Sequence, residues 1–229
     1  MGKQYYTGNQ KNGTTVCAVN AQLWLSRTHR LFRAGPCTQE LPKQERCFMN
    51  TFAEDLQEAT TYHGHLCTGQ ILGVRMARAG VKALGIDDPK GFRDLIVYVE
   101  CDRCLTDAIG TVTGNKLGKR NLKWMDYGKS AATFLNLQTG EAFRLHTRKH
   151  FNPPEDVDLI AFFEAISDEE MFETQSVQVN YRPEDLPGKP LCHYVCPVCG
   201  EEVNDGRQVI KDGVAICKGC LDDAYYKKL

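Results

Sequence analysis

Two Cys-x-x-Cys pairs near the C-terminus constrain the fold of this chain more than any other feature. The pairs, Cys196–Cys199 and Cys217–Cys220, are separated by 17 residues. A Cys-x-x-Cys turn aims two sulfurs at one point, and two such turns at this spacing are typical of a structural zinc site. The segment around them is too short to build an independent apolar core. The sequence therefore predicts a structural zinc ion that holds residues 191–229 together.

The segments around the two pairs favour a treble-clef zinc finger. Pro197 lies inside the first pair and Gly200 follows it, as in a zinc knuckle, and residues 206–216 are predicted to form a short hairpin. The second pair is predicted to begin a helix. A redox-active pair of thiols is the alternative. Basic residues in the finger would permit contact with nucleic acid, but acidic residues balance them, and contact with a protein fits at least as well.

Composition excludes several classes of protein. The chain has 229 residues, 11 cysteines and a formal net charge of −1, so no overall field attracts it to nucleic acid or to a membrane surface. No stretch approaches the roughly 18 apolar residues that a membrane-spanning helix needs, and the N-terminus lacks the apolar segment of a secretory signal. We therefore expect a cytoplasmic protein whose cysteines are metal ligands or reactive thiols rather than disulfides.

The rest of the chain is predicted to hold one larger domain. Residues 1–48 form an extension of uncertain structure, and Met49 is a candidate for the true start of translation. Helical and β patterns mix over residues 49–182, which favours an α+β core with helices packed on a mainly antiparallel sheet. Residues 183–190 are rich in proline and glycine and are predicted to link this core to the finger at 191–229.

Apolar spacing, caps and turn residues assign the elements of this core. Helices are predicted to begin near Asn50, after an N-cap at Thr68, after a cap at Thr106 and near Pro154, and Gly85 is a predicted helix stop. Strands are predicted at residues 94–100, on both sides of a turn at 138–141, and at 174–181.

The stretch His63-Gly-His65-Leu-Cys67 lies between the first two predicted helices. Cys67 and Cys104 each precede a predicted helix, where free N–H groups and the helix dipole lower the pKa of a thiol. These cysteines, the two histidines and Asp107 in the next helix form a mixed sulfur, nitrogen and oxygen set. Such a set suits zinc or another transition metal with an open coordination position.

Other interpretations of these residues stay open. Cys101 and Asp102 are further candidate ligands, and Cys101 with Cys104 could instead be half of a structural zinc site. A His-Gly-His stretch can be a simple turn, and an isolated cysteine is often a small buried apolar residue. If the site is catalytic, the candidate groups are Cys67, His63, His65 and Asp107.

A basic, glycine-containing loop follows at residues 113–121. It is one residue short of a nucleotide-binding P-loop, and Arg120 stands where that motif needs serine or threonine, so a P-loop is excluded. Lys116, Lys119 and Asn121 could still hold an anionic ligand. An exposed basic turn is the equally weighted alternative.

Three stretches together resemble a known family: YHGHLCTGQILGVRMA from Tyr62, CLTDAIGTVTGNKLGKRNL from Cys104 and DYGKSAATF from Asp126. They are similar to the core domain of the E-subunit family of formylmethanofuran dehydrogenase. The resemblance covers roughly residues 52–165, and the finger is an appendage seen in some members. This chain departs from the usual family pattern at Thr68, Gly110 and Arg120 and by the extra thiol of Cys101.

The resemblance implies an α+β core, a homodimer, and a site built on His63, His65, Cys67, Cys104 and Asp107. The family takes its name from association with a molybdenum or tungsten enzyme that reduces carbon dioxide onto methanofuran. We therefore expect an accessory protein that handles a metal or cofactor for such an oxidoreductase.

Two other functions stay open at this stage. The chain could be an enzyme acting on a small molecule, with Cys67 as nucleophile or a metal-bound water, and with His63 or His65 as base. A weaker alternative is a regulator that uses the finger to bind nucleic acid.

Overall fold

The structure, a computed structural model, describes residues 50–221 and 224–227. The predictions for residues 1–48 and Met49 lie outside the described residues. The chain divides into two compact units, whose described parts meet at Gly188 and Lys189. None of the helices in the described part of the chain combines the length and the apolar character that crossing a bilayer requires.

The larger unit combines α-helices with one five-stranded sheet. Its helices are α1 (Phe52–His63), α2 (Thr68–Ala83), α3 (Cys104–Thr113), α4 (Leu159–Glu164) and α5 (Asp168–Met171). Its strands are β1 (Leu95–Val99), β2 (Leu122–Trp124), β3 (Ala131–Asn136), β4 (Ala142–Thr147) and β5 (Phe172–Ser176). The strand order is β2-β1-β3-β4-β5, with β1 and β2 parallel and the other pairs antiparallel. This confirms the predicted α+β class.

Local cap chemistry sets the ends of the first two helices. Thr51 and Glu54 form a reciprocal capping box at the start of α1. The N-cap of α2 is Cys67 rather than the predicted Thr68, which is the first helical residue. Gly85 follows the last turn of α2 with a φ of +66°, as the predicted helix stop requires.

Two other predicted helix starts were wrong. Helix α3 begins at Cys104 with Arg103 as N-cap, and the hydroxyl of Thr106 donates to a backbone carbonyl instead of capping the helix. Helix α4 begins after Asp158, whose side chain accepts from two backbone N–H groups. Pro154 therefore lies before the N-cap and outside the first turn. In both cases a residue with better-placed geometry took the cap position.

The sheet differs from the predicted one at both edges. Strand β2 was not predicted, because it has three residues and follows a basic loop. The strand predicted at residues 174–181 begins earlier and ends at Ser176. The chain beyond it covers the second face of the sheet, where Val177 and Val179 pack on a small apolar cluster. Arg120 donates to the carbonyl of Glu184 and holds this segment close to β2.

The main core lies between α2 and one face of the sheet, and three glycines of α2 allow close packing. A Cβ on Gly80 would lie 2.3 Å from the ring of Phe134, which is fully buried. A Cβ on Gly69 would lie 2.8 Å from the Cβ of Cys104, and one on Gly73 would lie 2.6 Å from atoms of α3. Helices α2 and α3 therefore approach as closely as a side chain at these positions would forbid.

The smaller unit is built from two hairpins. They are β6 (His193–Val195) with β7 (Glu202–Asn204), and β8 (Val209–Lys211) with β9 (Val214–Ile216). The hydroxyl of Tyr194 donates to the carbonyl of Ala215 at 2.7 Å and joins the hairpins. The predicted helix at the second cysteine pair is absent from the described residues: Lys218–Cys220 form a 3-10 turn, and residues 224–227 form no helix.

Candidate metal sites

His63 ends α1, and its ring is oriented by a carboxylate of α3. Gly64, with a φ of +97°, terminates the helix, so the predicted turn is present. The Nδ1 of His63 lies 2.9 Å from an oxygen of Asp107, and its Nε2 is buried without a hydrogen-bond partner among the described residues. An ionised carboxylate only accepts, so Nδ1 carries the proton and Nε2 presents a lone pair. This is the arrangement in which a metal-ligating histidine is held by an outer carboxylate.

Three side chains of the turn converge. The ligand atoms of His63, His65 and Cys67 all lie within 4.8 Å of one another, and this group could hold a metal ion. The two imidazole rings have centroids 4.7 Å apart. The Cys67 side chain makes no capping hydrogen bond to α2, so its sulfur is not engaged by the helix that it precedes. We call these three residues the His/Cys group.

Cys104 lies beside the His/Cys group, but its thiol does not behave as predicted. Burial raises the pKa of Cys104, and a hydrogen bond with the Cys67 thiol raises it further. These effects outweigh a hydrogen bond from the backbone, which acts in the opposite direction. The close approach at Gly69 packs the thiol between two helices, so burial dominates over the helix terminus.

Cys101 is not brought to this group. It is 4% exposed and belongs to the main apolar core, with its sulfur 3.9 Å from the Thr106 hydroxyl. Among the residues that the structure describes, no metal-holding group includes Cys101 or the exposed Asp102. The structure thus supports the interpretation of Cys101 as a small buried residue.

The basic loop divides its predicted ligands between two roles. The amide of Asn121 accepts from the backbone N–H of Lys116 at 2.9 Å and donates to Asn115 at 3.1 Å, so it closes the loop on itself. Lys116 and Lys119 instead line a cavity of about 840 Å³ that Asp107 also lines. The loop and the outer carboxylate of the His/Cys group therefore border the same space.

The four cysteines of the smaller unit, called here the four-cysteine group, lie close enough together to surround one ion. Their sulfurs all lie within 4.8 Å of one another. The Cys196 and Cys220 sulfurs are 3.9 Å apart, and those of Cys199 and Cys217 are 3.7 Å apart. Four thiolates at about 2.3 Å from a central ion would be separated by about 3.8 Å. The spacing therefore fits a four-coordinate ion.

Backbone hydrogen bonds prepare one thiolate of this group. The backbone N–H of Cys217 donates to the Cys196 sulfur at 3.4 Å and, with that of Cys199, lowers the pKa of Cys196 to about 6. The hydrogen bond with Cys217 raises the pKa of Cys220 to about 12. Unequal pKa values are expected when four thiols share their protons at close range. A bound cation would favour the thiolate form of all four.

The comparison with known families decides where this chain belongs. The family model described as "FmdE, Molybdenum formylmethanofuran dehydrogenase operon" matches residues 62–184, which is more than half of the chain. The chain belongs to the FmdE family. The matched region begins at Tyr62, so it contains the whole His/Cys group, α3 and the basic loop. The resemblance noted in the sequence is confirmed.

Two similar proteins place the match more closely. A tungsten formylmethanofuran dehydrogenase FmdE-like protein from Syntrophus aciditrophicus has a crystal structure similar to this one, with a TM-score of 0.50 and 22% identity. The similarity covers 77% of this chain and 95% of that one, and it supports the fold. A probable S-adenosyl-L-methionine-binding protein of Archaeoglobus fulgidus is 33% identical over 105 residues, or 42% of this chain. The chain spans 29% of the length of that relative.

Sequence reasoning missed one residue that positions the site of this FmdE protein. Gln70 is fully buried in α2, and its Nε2 donates to the carbonyl of Cys104 at 2.7 Å. Its Oε1 is buried without a hydrogen-bond partner among the described residues. The signal was a polar side chain on the inward face of an apolar helix, three residues after Cys67, because such a group is buried only where it can bond.

Proposed function

We propose that this FmdE protein binds a transition metal at its His/Cys group and handles that metal, or a cofactor, for a molybdenum- or tungsten-type oxidoreductase. A structural zinc ion in the four-cysteine group completes the proposal. Family membership and the two groups of potential ligands support a metal-binding protein. The accessory role rests on the family resemblance.

The observation that carries the metal proposal is the state of His63. Asp107 fixes its Nδ1 as a donor, and the remaining Nε2 is a buried lone pair without a partner among the described residues. Burying an unsatisfied polar atom is unfavourable unless a partner is bound. His65 and Cys67 supply two more ligand atoms within 4.8 Å, so a cation would satisfy all three.

The ligand set narrows the metal. Imidazole suits zinc, copper, iron and nickel, whereas a thiolate favours softer ions and disfavours magnesium or calcium. Three protein ligands with an open fourth position are typical of sites where an ion exchanges or contacts a small molecule. Cys104, hydrogen-bonded to Cys67, is the nearest candidate for a fourth ligand.

Metal stoichiometry tests this proposal on the full chain. We expect two ions per chain by inductively coupled plasma mass spectrometry, one in each group. The double variant His65→Ala, Cys67→Ser should retain one ion. The matched double variant His193→Ala, Cys192→Ser removes the same two residue types outside both groups and should retain two. A wild-type chain with one ion, or equal contents in the two variants, would refute the site.

X-ray absorption then identifies the ligands of the core ion. The proposal predicts mixed nitrogen and sulfur coordination for the ion that is lost in the double variant, and pure sulfur coordination for the ion that remains. Pure sulfur coordination in both would show that the His/Cys group is not a site.

The accessory role and the homodimer are tested on the intact protein. Affinity capture from cells that make both proteins should retain an oxidoreductase, recognised by stoichiometric molybdenum or tungsten in the eluate. An eluate with neither metal contradicts the role. Light scattering of the purified chain should give twice the mass of 25.8 kDa. A monomer would contradict the proposed homodimer.

One observation favours a second function, an enzyme that acts on a small molecule at this site. The cavity of about 840 Å³ reaches Asp107, so a substrate could lie beside the His/Cys group. In that case Cys67 would be the nucleophile or a metal ligand. Rapid labelling of Cys67 at neutral pH, unchanged by chelators, would favour the nucleophile.

A further inference from the structure

The cavity beside the His/Cys group has the size and charge pattern of a ligand site. Its volume of about 840 Å³ lies within the range of roughly 300–1,000 Å³ typical of small-molecule sites. One face of α3 forms a wall, through Asp107, Gly110, Thr111 and Gly114. These positions recur at the helical spacing, so they lie along one stripe of the helix. The small residues on this stripe leave the space open.

The two ends of this wall carry opposite charges. Asp107 lies in the first turn of α3, whereas Lys116 and Lys119 lie beyond its last turn. Seven residues of helix separate Asp107 from Gly114, or about 10 Å at 1.5 Å per residue. An anionic group bound at the lysines would therefore avoid the Asp107 carboxylate. The cavity has a negative end at the metal site and a positive end at the loop.

The lysines at the positive end are free to bind a ligand. A third lysine of the cavity, Lys90, is paired with Glu58 at 2.5 Å. The ammonium groups of Lys116 and Lys119 have no acidic partner among the described residues. Two unpaired ammonium groups at one end of a cavity complement a carboxylate or a phosphate.

Apolar side chains line the space between the ends. Tyr62 from α1 and Leu117 from the basic loop are 72% and 63% exposed, and both border the cavity together with Leu122. Large apolar side chains that are exposed together around one cavity are typical of a ligand or partner site. They would bury the apolar body of a ligand whose charged group lies at the lysines.

We infer that this cavity binds a small organic anion, with its carboxylate or phosphate on Lys116 and Lys119 and its apolar body on Tyr62 and Leu117. The far end of the ligand lies beside Asp107, so the inference rests on the proposed metal site for its role but not for its binding. The anionic and apolar parts each contribute, and neither alone gives a stable complex.

The test uses 1-anilinonaphthalene-8-sulfonate as probe, because it joins an anionic group to an apolar ring system and fluoresces when bound. The neutral N-phenyl-1-naphthylamine has the same rings without the sulfonate. Titration of the full chain with each probe separates the contribution of charge from that of apolar contact. We expect saturable, one-to-one binding of the sulfonate.

The double variant Lys116→Ala, Lys119→Ala should weaken binding of the sulfonate roughly tenfold or more, since a hydrogen bond to a charged group is lost at each lysine. Binding of the neutral probe should change much less. The control variant Lys82→Ala removes an exposed lysine of α2 outside the cavity and should bind both probes like wild type. Equal affinity of the double variant and the control for the sulfonate would overturn the inference.

Blocking and competition complete the test. Thr111→Trp should fill the cavity and reduce binding of both probes, and circular dichroism confirms that this variant folds. Displacement by inorganic phosphate assigns a phosphate group to the ligand, and displacement by acetate assigns a carboxylate. Sodium chloride that displaces the probe equally well at the same ionic strength would overturn the inference.

The metal content of each variant keeps the two proposals apart. The lysine variants should keep the same number of ions as wild type. Loss of probe binding at lysine variants with unchanged metal supports the inference. A chain that lacks the core ion yet binds the sulfonate through the lysines would refute the metal proposal and leave this one standing.

Discussion

Removing the charge of Asp107 should weaken metal binding at the His/Cys group without touching any ligand. In the substitution Asp107→Asn, the bond of 2.9 Å to His63 loses its negative acceptor. The imidazole becomes less basic and less firmly oriented. Loss of such an outer partner typically lowers metal affinity by about 10- to 100-fold, or roughly 1.4–2.7 kcal/mol. The bond is partly exposed, with 44% of the Asp107 side chain accessible, so the lower half of this range is expected.

Competition with a chelator of known affinity measures this effect on the full chain. The four-cysteine group serves as an internal reference, because its ion should be released at the same chelator concentration in every variant. The control is Asp102→Asn, which removes the same charge at an exposed position near the start of α3. A core affinity for Asp107→Asn within twofold of the control would refute the argument. It would show that His63 is not a ligand held by this carboxylate.

Three further predictions concern stability. Gly73→Ala should lower the free energy of unfolding by about 1–3 kcal/mol in urea denaturation, because its Cβ would overlap α3, whereas Gly118→Ala, with open space around it, should change it by less than about 0.5 kcal/mol. Arg144→Met should cost about 3–5 kcal/mol, since it leaves the buried Glu100 carboxylate without its partner at 2.6 Å. The exposed Arg148→Met should cost under about 1 kcal/mol, and equal costs would contradict this argument. Removing the ion from the four-cysteine group should expose the smaller unit to limited proteolysis, and unchanged protection would contradict a structural role.

Much of the fold could be predicted from the sequence because its local signals agree. The apolar spacing of α1 and α2, the stop at Gly85 and the turn at residues 138–141 each correspond to an observed element. The four-cysteine group could be predicted from spacing alone, since a Cys-x-x-Cys turn confines its two sulfurs whatever surrounds it.

The parts that were missed depend on distant contacts. Strand β2 exists because β1 offers it a free edge, and three residues carry no pattern of their own. Residues 177–181 look like a strand, but their apolar side chains instead cover a cluster on the sheet. In the site, the approach of Cys104 to Cys67 depends on Gly69 and on the buried Gln70, and neither residue signals this in the sequence. Tertiary packing decided each of these outcomes.

The candidate core site lies where three helices meet, and this position links metal binding to folding. His63 ends α1, Cys67 caps α2, and Asp107 from α3 holds the histidine. An ion at the His/Cys group would therefore join two helix ends directly and a third through Asp107. Because the unfolded chain cannot hold these groups together, the ion should stabilise the folded state by about 2.7 kcal/mol at a free concentration of 100 times its Kd. The buried lone pair of His63 is unfavourable without the ion, so the same contact that creates the site makes the core most stable when the site is filled.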